Sequence, residues 1–238
     1  MSTTNCGEFG AAVSRFKTTN YAQPTRIEDF FFSNDDEQVL MEDIVYGRQP
    51  FPYAAKNGIL LWGNFGSGKT TLAKALPLLI ERHTYGLDAE DVLHSHVIEC
   101  DKTERGDSMM TRVKELVGTT PFFNASDFHY VIFDEVDNLT DAAQRTLKSV
   151  MNLQRVIFIL TTNYANRLDK GLWSRCLSIE MNGASEGSFR KFAARVAADY
   201  GVTFDEAALG KLIAKSNGDM REFIFHIERM ARLIKRAA

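Results

Sequence analysis

Short apolar runs alternate with amphipathic stretches up to about residue 180. Each run has the length of a β-strand and is bounded by polar or turn-forming residues. We predict strands at residues 59–62, 92–100, 130–134, 156–161 and 177–180. Nearly continuous apolar strands separated by helices are typical of a parallel sheet that is covered on both faces. The pattern therefore predicts an α/β fold.

The stretches between the strands carry the helical signal. Apolar residues recur at helical spacing between Val39 and Val45, which predicts a helix packed beside the sheet. Pro77 lies inside another such stretch, where a proline can kink a helix. We predict helices at residues 34–46, 70–83, 107–117 and 140–151, and an extended linker that enters a short helix at residues 24–30.

The pattern changes after residue 184, where strands no longer appear. Helical stretches follow at residues 185–200, 205–216 and 219–238, with Gly201 and Gly218 at the breaks. We interpret them as a three-helix lid. The predicted organisation is a flexible amino-terminal arm at residues 1–20, an α/β domain at 21–183 and a helical lid domain at 184–238.

Composition narrows the class of protein. Of the 238 residues, 45% are apolar and 25% are charged, as in ordinary globular proteins. The net charge of −3 provides no overall attraction to nucleic acid, so such a contact would need a local basic strip. Cys6, Cys100 and Cys176 are too few and too widely spaced for a disulfide framework or a zinc site. No secretory signal and no apolar run of about 18 residues are present, which predicts a cytoplasmic protein without a membrane segment.

The candidate chemistry begins with a glycine-rich loop directly after the first predicted strand. Its spacing, G-x-x-x-x-G-K-[ST], is that of a phosphate-binding loop. Its glycines allow positive φ, so that backbone N–H groups turn toward an anion, and the following helix points its amino end at the phosphates. The nucleotide-binding residues that we predict are Gly63, Asn64, Phe65, Gly66, Ser67, Gly68, Lys69, Thr70 and Thr71.

Two side chains of this loop have separate predicted roles. Lys69 is placed to reach the β- and γ-phosphates, and the Thr70 hydroxyl is placed to ligate Mg²⁺. A glycine loop that matches the spacing by chance is the alternative. The apolar strand before the loop and the helix after it argue against chance. The chain is therefore predicted to bind a nucleoside triphosphate.

An acidic pair closes the third predicted strand. Asp134 would hold Mg²⁺ through water, and Glu135 would polarise a water molecule for attack on the γ-phosphate. An acidic pair after a strand is, by itself, only weak evidence of a catalytic site. Phosphoryl transfer needs both a phosphate loop and an acid, however, and this chain has both.

Three further polar residues are candidates for the reaction. Asn163 ends the fourth predicted strand, where it could bond the γ-phosphate or the attacking water, or serve only as a turn residue. Arg175 lies in a loop after that strand, where it could stabilise charge on a neighbour's γ-phosphate or form a surface salt bridge. Arg221 begins the last helix, where it could reach the phosphates from the lid or simply be solvated.

These candidates lie in stretches that resemble one family. Residues 134–151 resemble the pattern D-E-x-D-x-L-T-x-x-A-Q-x-x-L-x-x-x-M, and residues 218–221 resemble G-D-x-R. Residues 163–164 and 174–176 resemble N-Y followed by S-R-C. The chain resembles AAA+ ATPases and is most similar to the small subunits of sliding-clamp loaders, replication factor C and its phage relatives. The resemblance covers about residues 20–235.

The resemblance implies a P-loop NTPase fold of the AAA+ type, Mg²⁺-dependent hydrolysis of ATP to ADP and phosphate, and an oligomer of identical or related subunits. Arg221 would complete the ATP site from the lid, and Arg175 would act on the ATP of the adjacent subunit. The residues that would line one ATP site are Lys69, Thr70, Asp134, Glu135 and Asn163.

DNA is a further partner that the resemblance implies. The family holds primer–template DNA inside a spiral of subunits, with basic residues against phosphates. Arg105, Arg145 and Lys148 occupy the matching regions here, although exposed basic residues on helices are commonly just solvated. The other implied partner is a ring, the sliding clamp.

Two departures from the family keep other functions open. The loop reads Gly-Asn-Phe-Gly-Ser where relatives usually have Gly-Pro-Pro-Gly-Thr, and the sequence ends about 17 residues after Arg221, where relatives carry a helical collar. The lack of a collar favours a helicase loader or a DNA-coating AAA+ regulator, while the S-R-C and A-Q-x-x-L matches favour a clamp loader. A non-hydrolysing structural AAA+ module is the third interpretation. A compact protein of this kind would suit a viral genome, and its location would then be the host cytoplasm.

Overall fold

The computed structural model describes residues 24–87, 95–100, 106–118, 124–183 and 185–237, and within these ranges five strands form one sheet. Every strand pair is parallel, and the order across the sheet is β2-β3-β4-β1-β5. The strands are β1 (Gly58–Trp62), β2 (Ser95–Glu99), β3 (His129–Asp134), β4 (Val156–Thr162) and β5 (Cys176–Glu180). The predicted parallel sheet is confirmed.

Helices account for most of the remaining described chain. They are α1 (Asp35–Val45), α2 (Lys69–Thr84), α3 (Gly106–Val117), α4 (Asp141–Val150), α5 (Lys170–Ser174), α6 (Glu186–Tyr200), α7 (Glu206–Ser216) and α8 (Met220–Ala237). The helix assignment of α2 continues through Pro77. The predicted arm at residues 1–20 lies outside the described residues.

Alternation along the strands builds two apolar layers, one on each face of the sheet. In β1, Ile59 and Leu61 pack on one face with α1 and α2, while Leu60 packs on the other face with α3 and α4. Side chains of successive strand residues point to opposite faces, and both faces are buried. This double burial explains why the strands read as nearly continuous apolar runs.

The carboxyl-terminal helices have an apolar cluster of their own. Phe189 of α6 and Phe223 of α8 lie with their ring centroids 4.4 Å apart, and neighbouring apolar residues of all three helices complete the cluster. Gly201 and Gly218, the predicted breaks, have φ of 65° and 84°. A left-handed residue commonly ends a helix, and glycine adopts that conformation without strain.

The sequence pattern missed α5. This helix has five residues, which is too short for a periodic signal, and its start depends on Asp169. The Asp169 carboxylate accepts hydrogen bonds from the backbone N–H groups of Gly171 and Leu172, as an N-cap does. Arg175 therefore follows a capped helical turn rather than an open loop.

Two remaining features are the apolar character of the helices and the environment of the cysteines. Among the described residues, no helix combines the length and the apolar character that crossing a membrane requires. Cys100 and Cys176 are thiols buried in the core, and burial raises the pKa of Cys176 to about 12.

Candidate functional site

The carboxyl ends of β1, β3 and β4 bring the predicted site residues to one edge of the sheet, here called the carboxyl edge. The order β3-β4-β1 makes these strands direct neighbours. The phosphate loop follows β1, Asp134 closes β3, and Asn163 follows β4. Ligands of open α/β sheets bind outside the carboxyl ends of the strands.

The loop has the backbone conformation that its glycines predict. Gly63, Gly66 and Gly68 have φ of 140°, 72° and 94°. At Gly63, a Cβ atom would also lie only 2.5 Å from the carbonyl oxygen of Met181, so no larger residue fits without displacing backbone. The backbone N–H of Asn64 donates to Oδ1 of Asn182 at 3.0 Å, and this hydrogen bond connects the loop to the segment after β5.

Lys69 lies inside the loop, and its side chain is largely buried, with the residue 6% exposed. Its Nζ donates to the carbonyl oxygen of Gly63 at 3.1 Å and lies 3.2 Å from Oγ of Ser67. Burial lowers the pKa of Lys69 to about 8, and the nearby Asp134 carboxylate opposes this shift. An anion beside Nζ would raise the pKa again, because it favours the charged form.

Hydrogen bonds join the loop to the acidic strand end. The Thr70 hydroxyl donates to Oδ1 of Asp134 at 2.8 Å, and the Thr161 hydroxyl donates to the same oxygen at 2.6 Å. The predicted pair Thr70 and Asp134 is thus in direct contact. Hydroxyl and carboxylate oxygens are ligands that Mg²⁺ prefers, so this donor set fits the ion.

Glu135 has the left-handed conformation, with φ of 56° and ψ of 50°. Its backbone N–H donates to Oγ1 of Thr161 at 2.9 Å, and its exposed carboxylate accepts from Nδ2 of Asn138 at 3.1 Å. A non-glycine residue in this region carries strain, which persists only where the surroundings hold it and is concentrated at functional sites. The hydrogen bonds of Glu135 with Thr161 and Asn138 hold it here.

The sequence reasoning missed Thr161 and Thr162. Thr161 links Asp134 to the backbone of Glu135, and the Thr162 hydroxyl donates to Oδ1 of Asp137 at 2.6 Å. A signal was available, because β4 changes from five apolar residues to two threonines at its carboxyl end. Asn163, which follows directly, is half-buried at this edge.

The lid touches the phosphate loop at the start of α8. The backbone N–H of Met220 donates to the carbonyl oxygen of Gly66 at 3.1 Å, and a Cβ atom on Gly66 would collide with the Asp219 carboxylate. The pKa of Lys69, lowered mainly by burial, is lowered further by the Arg221 guanidinium. Arg221 directly follows Met220, so its backbone lies beside the phosphate loop, and its role in the site stays a prediction.

Arg175 lies at the opposite edge, where the strands begin, here called the amino edge. Its carbonyl oxygen accepts from the backbone N–H of Gly58, the first residue of β1, at 3.1 Å. The guanidinium bonds neutral oxygens only: the Gly171 carbonyl at 3.0 Å and Oδ1 of Asn152 at 3.4 Å. Within the described ranges no carboxylate pairs with Arg175, so the salt-bridge alternative has no support there.

Gln144 connects α4 to the segment before α5. Its buried amide donates to the carbonyl oxygens of Leu139 and Arg167, and its Oε1 accepts from the backbone N–H of Asp169 at 2.8 Å. The sequence motif A-Q-x-x-L contains Gln144 but gives no indication of this role. The side chain satisfies three backbone groups across a long loop, which helps to place α5.

The predicted DNA contacts differ in their surroundings. Arg145 is exposed on α4. Lys148, on the same helix, forms an ion pair with Asp169 at 3.1 Å, and the hydrogen bond from Lys148 lowers the pKa of that carboxyl. Arg105 lies outside the described residues. DNA contact stays a prediction for all three.

Comparisons with known proteins agree with this geometry. The family model described as "ATPase family associated with various cellular activities (AAA)" matches residues 59–183. The replication factor C small subunit 1 of Pyrobaculum aerophilum is 32% identical over 194 residues, which cover 79% of this chain and 56% of that protein. The replication factor C small subunit of Thermofilum pendens is 33% identical over 194 residues, covering 79% and 57%.

Among solved structures, the Thermotoga maritima RuvB Holliday junction branch migration motor superimposes with a TM-score of 0.67. The superposition covers 91% of this chain and 67% of RuvB, at 17% identity. At that identity the likeness concerns the fold alone. The chain spans a little over half the length of the replication factor C subunits that it matches.

Proposed function

The chain belongs to the AAA family of ATPases, and from that premise we propose that it is a Mg²⁺-dependent, ATP-hydrolysing DNA-replication protein of the clamp-loader type. Copies assemble with ATP between them, and ATP binding and hydrolysis control the grip on DNA and on a ring-shaped partner. The likeness to replication factor C small subunits supports the choice within the family.

The carboxyl edge supplies the chemistry of one ATP site. The loop amides and Lys69 hold the phosphates, and Arg221 approaches from the lid. Thr70 and Asp134 would hold Mg²⁺, which neutralises phosphate charge when it is bound. Glu135 accepts a proton from the water that attacks the γ-phosphorus, and the products are ADP and phosphate. Asn163 orients the water or the γ-phosphate.

The position of Arg175 is the observation that carries the proposal. Arg175 lies at the beginning of β1, whereas the phosphate loop lies at its end. A five-residue strand is about 17 Å long, which is more than an arginine side chain can span. Arg175 cannot serve its own site, and its charge, bonded to neutral oxygens, is available for the γ-phosphate of a neighbouring copy.

This arrangement couples hydrolysis to assembly. While ATP is present, the γ-phosphate attracts Arg175 of the next copy and favours the closed interface. After hydrolysis the arginine loses that partner, and the grip on DNA and the ring weakens. Arg145, Lys148 and Arg105 are proposed to contact DNA phosphates.

The experiment compares Arg175→Ala with a matched variant on the same edge, Arg155→Ala. ATP turnover is measured with and without primed DNA, and ATP binding is measured separately. We expect turnover in the presence of DNA to fall by about 10³-fold in Arg175→Ala, because an arginine donated to a transferring phosphoryl group has an effect of that order. ATP binding should survive, and Arg155→Ala should retain turnover. Normal turnover in Arg175→Ala at saturating DNA would contradict the proposal.

The partner is identified by a second measurement. Tagged protein with ATP is incubated with a sliding clamp or with a replicative helicase, and retention of each is compared with an ADP control. ATP-dependent retention of the clamp supports the clamp-loader type. Retention of the helicase alone would favour a helicase loader, and absence of phosphate release with or without DNA would favour a structural AAA+ module.

A further inference from the structure

Asn163 is not held by its own side chain. The side-chain amide makes no hydrogen bond among the described residues, although Asn163 lies half-buried at the carboxyl edge. An amide that bonds water or phosphate has to stay free of other partners, yet catalysis requires that it be held in one place. The position of Asn163 therefore depends on its neighbours along the chain.

One hydroxyl fixes the backbone on both sides of Asn163. Thr162 is fully buried at the end of β4, and its Oγ1 donates to Oδ1 of Asp137 at 2.6 Å. The same oxygen accepts from the backbone N–H of Tyr164 at 2.9 Å. A hydroxyl can donate one hydrogen bond and accept others, so Thr162 joins Tyr164 to the segment after β3.

The Tyr164 ring is held by two further side chains. It packs edge-on against Phe65 of the phosphate loop, with the ring centroids 5.8 Å apart and the ring planes inclined by 75°. The Arg167 guanidinium covers the ring, with its Cζ atom 4.2 Å from the centroid. An edge-on ring and a cation over the ring face are both favourable contacts of an aromatic side chain.

Arg167 is itself anchored to the rest of the fold. Its backbone N–H donates to the carbonyl oxygen of Tyr164 at 2.9 Å, and its own carbonyl oxygen accepts from the buried amide of Gln144 at 3.2 Å. The Tyr164 ring thus lies between an anchored turn and the phosphate loop.

The pair of rings adds little to the apolar core. Phe65 is 60% exposed and Tyr164 is 40% exposed, so the contact removes less apolar area from water than a core pair does. Its main consequence is therefore for the position of the two segments that it joins.

The phosphate loop meets the end of β4 at two points. At the first, the hydroxyls of Thr70 and Thr161 share one carboxylate oxygen of Asp134. The second is the ring contact of Tyr164. Asn163 lies between Thr161 and Tyr164 in the chain, so both ends of the segment that carries it are connected to the loop.

We propose that Tyr164 is a positioning residue for ATP hydrolysis. Its ring, held by Phe65 and Arg167, fixes Asn163 relative to the phosphate loop, so that the loop and Asn163 move as one unit. The inference rests on the proposed function, because it deepens the role given there to Asn163. The Tyr164 hydroxyl makes no hydrogen bond among the described residues, so the ring alone carries the effect.

The first test compares Tyr164→Ala with Tyr164→Phe in the full chain. With primed DNA present, we expect kcat of Tyr164→Ala to fall about tenfold, because even a small misplacement of a reacting group is costly. The KM for ATP should stay near its unsubstituted value, since Lys69 and the loop amides are unchanged. Tyr164→Phe keeps the ring and should retain turnover. Urea unfolding checks that both variants are folded, and an equal loss of kcat in both would contradict the inference.

A double-mutant cycle tests whether Tyr164 acts through Asn163. Asn163→Ala alone should lower kcat by about 10²-fold, as the loss of a donor aimed at the reacting groups does. Adding Tyr164→Ala to Asn163→Ala should cause no further loss, because no amide is left to be positioned. A loss of the same size in both backgrounds would overturn the inference, since Tyr164 would then act through another group or through a contact between copies.

A second cycle tests the contribution of the loop. Phe65→Ala should lower kcat about threefold at saturating ATP, within the range that an edge-on ring pair contributes. The double variant with Tyr164→Ala should be no slower than Tyr164→Ala alone. Fully additive losses would mean that the two rings act independently, which would overturn the proposed unit.

His83→Ala is the matched control for the loss of an edge-on ring. His83 packs against Tyr46 with a centroid distance of 4.9 Å and an interplanar angle of 65°. It lies on α2 about 20 Å beyond Thr70, away from the loop. The variant should retain kcat. A loss as large as that of Phe65→Ala would mean that removing any such ring slows the enzyme, and it would contradict the inference.

The outcomes separate this inference from the proposed function. A slow Asn163→Ala together with a normal Tyr164→Ala would overturn the inference and leave the proposed function standing. Normal turnover in Asn163→Ala would overturn both the proposed role of Asn163 and the inference, while the ATPase activity remains. Absence of ATP hydrolysis in the unsubstituted protein would overturn the proposed function and the inference together.

Discussion

The two edges of the sheet differ in how completely their polar groups are satisfied. At the carboxyl edge, Thr70 and Thr161 bond the same oxygen of Asp134, and the lid donates to the phosphate loop. At the amino edge, Arg175 bonds only neutral oxygens, and Asn57 keeps a buried acceptor unsatisfied within the described chain.

This difference indicates a division of roles. The carboxyl edge is organised by contacts within one copy, and such a preorganised site can bind phosphate without large rearrangement. At the amino edge, the charge of Arg175 has no carboxylate partner within the described ranges. Under the proposed function, head-to-tail assembly would let each copy supply the arginine that its neighbour's phosphate site lacks.

The strongest test of this division mixes two inactive variants. Lys69→Ala removes the phosphate contact at the carboxyl edge, and Arg175→Ala removes the charge at the amino edge. Each alone should lower turnover by about 10³-fold, yet a one-to-one mixture should recover about a quarter of the active interfaces, because an intact loop then meets an intact arginine. Turnover is measured against the mixing ratio with DNA present. No recovery would mean that both residues act in the same copy.

The next prediction concerns the carboxyl edge alone. Glu135→Gln should lower turnover by roughly 10²-fold or more, because the amide cannot accept the proton of the attacking water. ATP binding should persist, since Lys69 and the loop amides are unchanged. Phosphate release and nucleotide binding are measured on the same preparation. Equal loss of binding and turnover would instead indicate a structural role for the carboxylate.

Thr161→Val tests the contact that the sequence did not reveal. The variant keeps the side-chain shape but removes the hydroxyl that joins Asp134 to the backbone of Glu135. We expect about 1–2 kcal/mol lower stability, because the N–H of Glu135 loses its acceptor, and roughly tenfold lower turnover. Urea unfolding and ATP turnover provide the readouts.

Thr146→Val is the matched control for that experiment. Among the described residues, the Thr146 hydroxyl bonds only the Ala142 carbonyl of its own helix, at 3.0 Å. Its replacement should leave turnover near the unsubstituted value. If both threonine variants behaved alike, the Thr161 contact would have no special importance for the site.

The smallest predicted effect lies near the amino edge. Lys148→Met removes the ion pair with Asp169, and because both side chains are about a third exposed, we expect less than about 1 kcal/mol of stability to be lost. The pKa of Asp169 is lowered in the folded state from its ordinary value of 3.8. The ion pair therefore stabilises the protein fully at pH values above 3.8, and this stabilisation is lost as the pH falls through the lowered pKa.

Comparing Lys148→Met with Arg145→Met also tests the DNA prediction. DNA binding is measured at several salt concentrations, and the logarithm of the binding constant is plotted against the logarithm of the salt concentration. Removing a side chain that contacts a DNA phosphate should make the slope of this plot shallower by about one. We expect that change for Arg145, which is exposed, and for Lys148, whose side chain stays about a third exposed beside Asp169. Unchanged slopes for both variants would exclude them as phosphate contacts.

Local sequence determined much of the fold and part of the site. The strands and long helices follow from apolar periodicity, and the loop from Gly63 to Thr70 follows from a spacing that is typical of phosphate-binding loops. Both patterns are local in the sequence, so they can be recognised without knowing how the rest of the chain folds. The short α5 was missed because its five residues carry no period and its cap depends on one aspartate.

The tertiary structure decided which residues meet. Thr70 and Thr161 are 91 positions apart, and they reach the same carboxylate only because β4 lies between β3 and β1. Arg175 is placed at the amino edge by the pairing of Gly58 with Cys176 at the start of two parallel strands. Strand order and register are set by hydrogen bonds between distant segments, and the spacing of residues along a single chain does not contain them.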